Sequence, residues 1–192
     1  LYKNGLHRDR FLPFIALLKQ RCQMLTIADG RDWRAQMLAG MASWHMPDDR
    51  QATAALDDAF ARLAGDAVVG SESIRVAGRD ISFDRVAGDV ARISFANLCE
   101  MPLGARDYLA IAGRFAGLLV DHVPVLASAN EPAARRFMWL VDALYDRQRF
   151  LVASAATDIA NLYQGHNYSF EFERTVSRLG EMTRRAARAE TT

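Results

Sequence analysis

The 192-residue sequence is 51% hydrophobic and 24% charged, enough apolar content to bury one good core or two small lobes, so a globular protein is expected. With 24 Lys and Arg against 23 Asp and Glu the formal net charge is +1, and no global field selects nucleic acid or an anionic membrane surface. No apolar run approaches the ~20 residues that cross a bilayer, and the start lacks a basic segment followed by a hydrophobic stretch. The expectation is a cytoplasmic protein without a transmembrane segment.

Leu1 opens the chain without preamble, which predicts a piece of a longer protein. Cys22 and Cys99 form no Cys-x-x-Cys pair and read as two packed, reduced thiols rather than a disulfide framework or zinc site. The only lysines are Lys3 and Lys19, so arginine carries almost all of the positive charge.

In chain order, Asp9 can cap a helix in which Phe11, Phe14, Ile15 and Leu18 recur at helical spacing, with Pro13 near the first turn. Residues 22–27 then read as a short strand stopped by Ala28-Asp29-Gly30. The Met- and Trp-rich stretch 31–47 is irregular and is expected to be a connection. Asp48 or Asp49 opens a helix whose Ala55, Leu56, Ala59, Phe60 and Leu63 share a face, with Gly65 as its stop.

Ile74 and Val76, then Gly78-Arg79-Asp80, then Ile81 and Phe83 predict a hairpin, and residues 90–95 a further strand, together an antiparallel lobe. After Pro102-Leu103-Gly104 a helix over 105–115 leads into Gly117-Leu118-Leu119-Val120-Asp121, which has the continuous apolar character of a buried parallel strand. A helix over 133–146 carries Phe137, Leu140, Val141 and Leu144 inward, and 150–155 is the next buried strand. A last helix runs from near Phe170 into an arginine-rich tail that frays after about Arg185.

A phosphate-binding loop needs Gly-x-x-x-x-Gly-Lys-Ser/Thr, because backbone amides wrap the phosphates and the lysine reaches the terminal ones. Neither lysine follows a glycine, so this stretch of chain cannot hold a nucleotide in that way. Asp121 ends an apolar strand, where NTPases place a magnesium-binding acid. His122 follows it instead of a water-polarising glutamate, which favours a structural Asp121 capping the turn at Pro124. Arg174 and Arg178 lie one turn apart with Glu171, Glu181 and Arg185 on the same stripe; the pattern fits an exposed ladder of weak ion pairs better than an arginine aimed at a phosphate. Arg8 with Arg10, and Arg135 with Arg136, pose the same choice. His7, His45, His122 and His166 include no i, i+4 pair, which excludes a helical His-Glu-x-x-His metal site, and Ser154 lacks the glycines of a nucleophile elbow.

The opening Leu1-Tyr2-Lys3-Asn4-Gly5-Leu6-His7-Arg8-Asp9-Arg10-Phe11-Leu12-Pro13-Phe14-Ile15 resembles the ZapE family of AAA+ ATPases. So do Phe95-Ala96-Asn97-Leu98-Cys99-Glu100-Met101-Pro102-Leu103-Gly104-Ala105-Arg106-Asp107-Tyr108-Leu109, Val123-Pro124, Arg135-Arg136-Phe137, Leu144-Tyr145-Asp146, and Phe170-Glu171-Phe172-Glu173-Arg174-Thr175-Val176-Ser177-Arg178-Leu179. The segments fall in order along nearly the whole chain. Asn130-Glu131-Pro132-Ala133-Ala134-Arg135 departs from the family by its length, and the region from Trp33 to Pro47 matches loosely.

The resemblance implies an α/β fold, the C-terminal portion of a P-loop NTPase, with parallel strands and flanking helices plus a small antiparallel β lobe. It divides the chain into the end of the ATPase core (1–30), a connection and helix (31–66), the antiparallel lobe (67–98) and an α/β and helical part (99–192). It further implies that both Walker motifs lie upstream, and that ATP and Mg2+ belong to the intact protein and not to this chain alone. Arg10, then Arg8, are the implied arginine finger reaching a neighbour's nucleotide. Arg174 and Arg178 are implied nucleotide or interface contacts, and Arg135 and Arg136 weaker ones. The implied partners are further copies of the protein and a division-machinery protein. The alternative is a non-catalytic interaction module for a divisome or chaperone partner. Arg184, Arg185 and Arg188 are too few for nucleic-acid binding at this net charge.

Overall fold

The computed structural model describes residues 40–188 without a break, with side chains to residue 184, and in addition Leu12, Pro13, Phe14, Leu17 and Arg21, all helical. Residues 1–32 and 33–192 form two compact units. Arg8, Arg10, the strand expected over 22–27, most of the 31–47 connection and the side chains of Arg185 and Arg188 lie outside the described residues.

In the larger unit, β1 (Trp44–His45) is followed by α1 (Arg50–Ala64). The Asp49 carboxylate caps α1 by accepting from the Gln51 and Ala52 amides at 2.8 and 2.9 Å, and Gly65 ends it at φ 53°, where a side chain would be strained. Strands β2 (Val69–Val76) and β3 (Arg79–Ala87) form the expected hairpin. Its two turn residues, Ala77 and Gly78, both have positive φ, as the right-handed twist of a two-residue connection demands. Then come β4 (Val90–Ser94), one π-helical turn (Ala96–Glu100), α2 (Ala105–Arg114), β5 (Gly117–Val123), β6 (Leu126–Ala127), α3 (Glu131–Asp146), β7 (Phe150–Ala155), β8 (Tyr163–Gln164) and α4 (Ser169–Arg188).

Six strands make one mixed sheet in the order β1-β7-β5-β4-β3-β2, and β6 pairs with β8 apart from it. β1, β7, β5 and β4 are parallel neighbours, whereas β4, β3 and β2 are antiparallel. The antiparallel strands therefore extend the parallel sheet through β4. Trp44 and His45, expected in a connection, form the strand beside β7, because Ala153 donates to the Ser43 carbonyl and the Trp44 indole donates to the Thr157 carbonyl. Two residues are too few for a readable alternation.

Side chains alternate between two cores. Leu118, Val120, Leu151, Ala153, Ala91 and Ile93 face the larger one with α2, α3 and α4, while Leu119, Val152 and Val90 meet Leu56, Ala59, Phe60 and Leu63 of α1. Helices on both faces explain why β5 reads as an unbroken apolar run. At the start of β5 the fit is close: a Cβ on Gly117 would sit 2.3 Å from three ring atoms of Phe150. Gly117→Ala should therefore lower the urea unfolding free energy by about 1–3 kcal/mol, the usual cost of overpacking, with an unchanged m-value.

Candidate functional site

Ligands of open α/β sheets gather outside the carboxyl ends of the parallel strands. Here that edge holds a cleft of about 300 Å³ whose lining includes Thr53 of α1, Ser94 of β4, Asn97, and Asp121 and His122 of β5. Its floor is a buried ion pair. Arg92 donates from Nε and Nη2 to the two Asp121 carboxylate oxygens, each at 2.8 Å, and from Nη1 to Asp57 on α1 at 2.6 Å. Arg85 donates to the same Asp57 oxygen.

Burial opposes the Arg92 charge, but Asp121 and Asp57 outweigh it and raise its pKa above the ordinary value. The Arg85 hydrogen bond, reinforced by Arg92, holds Asp57 below the usual carboxylate range against a smaller effect of burial. The structural reading of Asp121 stands with a different partner: the carboxylate answers Arg92 and is not the cap of the Pro124 turn.

Beside it the β5 register slips between Val120 and Val123, and His122 takes a φ of 63°. Such a conformation costs a non-glycine residue about 1–3 kcal/mol. Its amide donates to Ser154 Oγ at 2.8 Å, and its ring Nδ1 lies 2.9 Å from an Asp48 oxygen just ahead of α1.

On the other face of the sheet a second carboxylate organises the approach to α4. Glu131, at the start of α3 and 8% exposed, accepts from the Tyr163 hydroxyl and from the amides of His166 and Asn167. The Tyr163 oxygen in turn accepts from the Tyr168 amide at 2.8 Å, and the Tyr163 ring stacks on Phe172 at 4.8 Å. Gly165 must be glycine because a Cβ would lie 2.4 Å from Glu131 Oε1. Burial raises the Glu131 pKa, but the Asn167 amide, the Tyr163 hydroxyl and the His166 amide and charge together bring it below its ordinary 4.5.

Arg135, Arg136, Arg174 and Arg178, singled out in the sequence, stand on α3 and α4. Arg174 and Arg178 share one partner, Asp142 of α3, each at 2.6 Å. Neighbouring helices are joined, in place of a ladder along α4 alone. Arg178 also pairs with Asp146 at 3.2 Å and lies over the Tyr145 ring at 4.7 Å, with its side chain 20% exposed. Arg174 is 61% exposed. Arg135 and Arg136 diverge: Arg135 lies over the Trp139 and Tyr168 rings, and Arg136 donates to the Cys99 carbonyl at 3.1 Å. Cys99 itself is buried, and desolvation drives its thiol pKa far up, so it is an inert packed thiol.

Arg92 and Glu131 went unread in the sequence. For Arg92 the signal was present: a charge inside the apolar strand Val-Ala-Arg-Ile-Ser requires a buried counter-charge.

The described residues do not fit a nucleotide and its magnesium. The sequence carries no phosphate loop, both Asp121 oxygens are engaged by Arg92, and no group of three or more His, Cys, Asp or Glu side chains among the described residues could hold a metal. Nor is any described helix long and apolar enough to cross a membrane.

Residues 1–190 match the AFG1-like ATPase family. The chain is 36% identical over 182 residues to the cell division protein ZapE of Escherichia coli K12, covering 95% of this chain and 48% of that protein. It is 34% identical over 218 residues to lactation elevated protein 1 homolog B of Danio rerio, covering 95% and 43%. The chain thus spans about half the length of these relatives. No solved structure matches it.

Arg92→Met leaves Asp121 as an uncompensated buried charge and should cost about 3–5 kcal/mol in urea unfolding, most of which the double variant Arg92→Met/Asp121→Leu recovers. The depressed Glu131 pKa has its own consequence. Its contribution to stability is complete above the ordinary 4.5 and is lost as pH falls through the lower folded value, because the unfolded state then binds the proton more readily. Unfolding free energies measured from pH 6 downward should fall less steeply in Glu131→Gln than in the parent chain.

Proposed function

This chain belongs to the AFG1-like ATPase family, and from that premise we propose that the intact protein is an ATP-hydrolysing AAA+ protein linked to cell division, in which this region supplies arginines acting on nucleotide bound by a neighbouring copy. ATP and Mg2+ are held by the remainder of the intact protein, which works in the cytoplasm as a homo-oligomer and engages a protein of the division machinery.

The observation that carries the arginine assignment is the unequal standing of Arg174 and Arg178. Arg178 is committed to two carboxylates and an aromatic ring. Arg174 makes one ion pair, with 61% of its side chain exposed, and an exposed pair of that kind is worth only about 0–1 kcal/mol. A phosphate can draw the Arg174 guanidinium away, whereas moving Arg178 would undo the α3–α4 contact. Arg174 is therefore the nucleotide-directed arginine of this face and Arg178 its anchor. Arg10, and after it Arg8, are the corresponding candidates of the first unit. Arg135 and Arg136 are the weaker nucleotide contacts, Arg136 the less available because the Cys99 carbonyl already engages it.

In the intact protein at saturating ATP, Arg174→Ala should lower kcat about 1000-fold, in the range of a lost arginine finger, with an unchanged unfolding midpoint. Arg178→Ala should cost about 1–3 kcal/mol of stability. Wild-type turnover in Arg174→Ala would move the role to Arg10. Absence of turnover in the intact wild-type protein would replace the whole reading by a non-catalytic interaction module.

A further inference from the structure

Asp142 of α3 answers two cations with one negative charge. Its Oδ2 accepts from Arg174 Nη2 and its Oδ1 from Arg178 Nη1, each at 2.6 Å. The carboxylate is 23% exposed, far less than Arg174. Arg178 has other holds, on Asp146 and over the Tyr145 ring, and so keeps its place when Arg174 departs. Arg174 pairs with Asp142 alone among the described residues.

What it costs to lift Arg174 away depends on what Asp142 retains. A largely buried carboxylate stripped of its last cation is an uncompensated charge, whereas one that keeps a cation is not. With Arg178 in place, Asp142 stays paired after Arg174 leaves. The charge of Arg178 also repels Arg174 and weakens its attraction to the shared acid. Without Arg178, Arg174 would be the one cation left to a carboxylate mostly shielded from water, and their pair would tighten. We infer that Arg178 is a positioning residue that acts through Asp142: by occupying that carboxylate it keeps Arg174 releasable, and so regulates how readily Arg174 reaches an incoming phosphate. The functional half of this inference rests on Arg174 being the nucleotide-directed arginine proposed above. The loosened pair is a property of the three side chains themselves. A plain fastener of α4 to α3 behaves with the opposite sign, since its loss would free Arg174 along with the helix.

The sign is read by NMR on the 192-residue chain carrying isotope-labelled arginine. The signal followed is the Arg174 Nε–H, identified by its loss in Arg174→Ala, and the quantity is the rate of guanidinium rotation about the Cζ–Nε bond, which a tight ion pair slows. Arg178→Met, and Arg178→Gln with a polar tip left beside Asp146, should each slow that rotation at least about threefold, within the range by which a partly exposed ion pair can change. Adding Asp142→Asn to either should restore the parent rate, and Arg178→Lys, which keeps the charge, should leave it within about twofold. Retention of the remaining spectrum reports that each variant is folded. In the intact protein kcat should follow the same order, down at least about threefold in Arg178→Met and recovered in Arg178→Met/Asp142→Asn, whereas Asp142→Asn should not rescue Arg174→Ala. Rotation of Arg174 that is unchanged or faster in both Arg178 variants would overturn the inference, whatever the turnover. Slowed rotation together with parent turnover in Arg174→Ala would instead overturn the nucleotide role of Arg174 and the functional half of this inference with it, so the two failures read differently.

Discussion

The Arg92 guanidinium is the contact through which the larger unit is fixed at its centre. From β4 it reaches Asp121 on β5 and Asp57 on α1, so one side chain joins two strands and the helix above them. Arg92 and Asp121 are buried where a lone charge would be costly, and the arrangement persists because each nitrogen used has an acceptor. With β4 and β5 held together, the register slip beyond Val120 has a fixed starting point. His122 leaves the sheet toward Asp48, and Ser154 of β7 accepts its amide. The polar cleft at the carboxyl edge is therefore a consequence of this pairing. Both Asp121 oxygens accept from Arg92, so the acid that ends the apolar strand serves the architecture.

The opposite face uses carboxylates in the same way with different results. Glu131 gathers the chain from Tyr163 to Tyr168 around itself and so fixes where α4 begins. Asp142 then receives two arginines from α4. One is locked by a second acid and a ring, and the other remains largely in solvent. The exposed pair contributes little to stability, which leaves Arg174 the freedom that a transferable contact needs. Arg135 is positioned by rings and not by an acid, a placement that orients its charge without neutralising it.

Much of the fold was legible because it rests on periodicity. The apolar run from Gly117 marked β5, the alternation around Gly78-Arg79-Asp80 marked the hairpin, and Asp48 or Asp49 with Gly65 marked the ends of α1, where the structure selects Asp49. β1 was missed because a two-residue strand exists only through its pairing with β7. The arginines on α3 and α4 were found as residues, but their partners were not, since Asp142 lies 32 and 36 positions away. The Glu131 cage was similarly out of reach. It depends on a carboxylate meeting amides 35 and 36 residues later, a closure that no local pattern encodes.

The most direct test of the arginine assignment is subunit mixing in the intact protein. Copies carrying Arg174→Ala are combined with copies in which the nucleotide site proposed for the intact protein has been inactivated. If Arg174 acts across a subunit boundary, each variant alone is nearly inactive and the mixture regains a substantial part of ATP turnover, because intact Arg174 of one copy meets an intact nucleotide site of the other. A mixture no more active than its components, both remaining folded and assembled, would contradict a trans-acting Arg174.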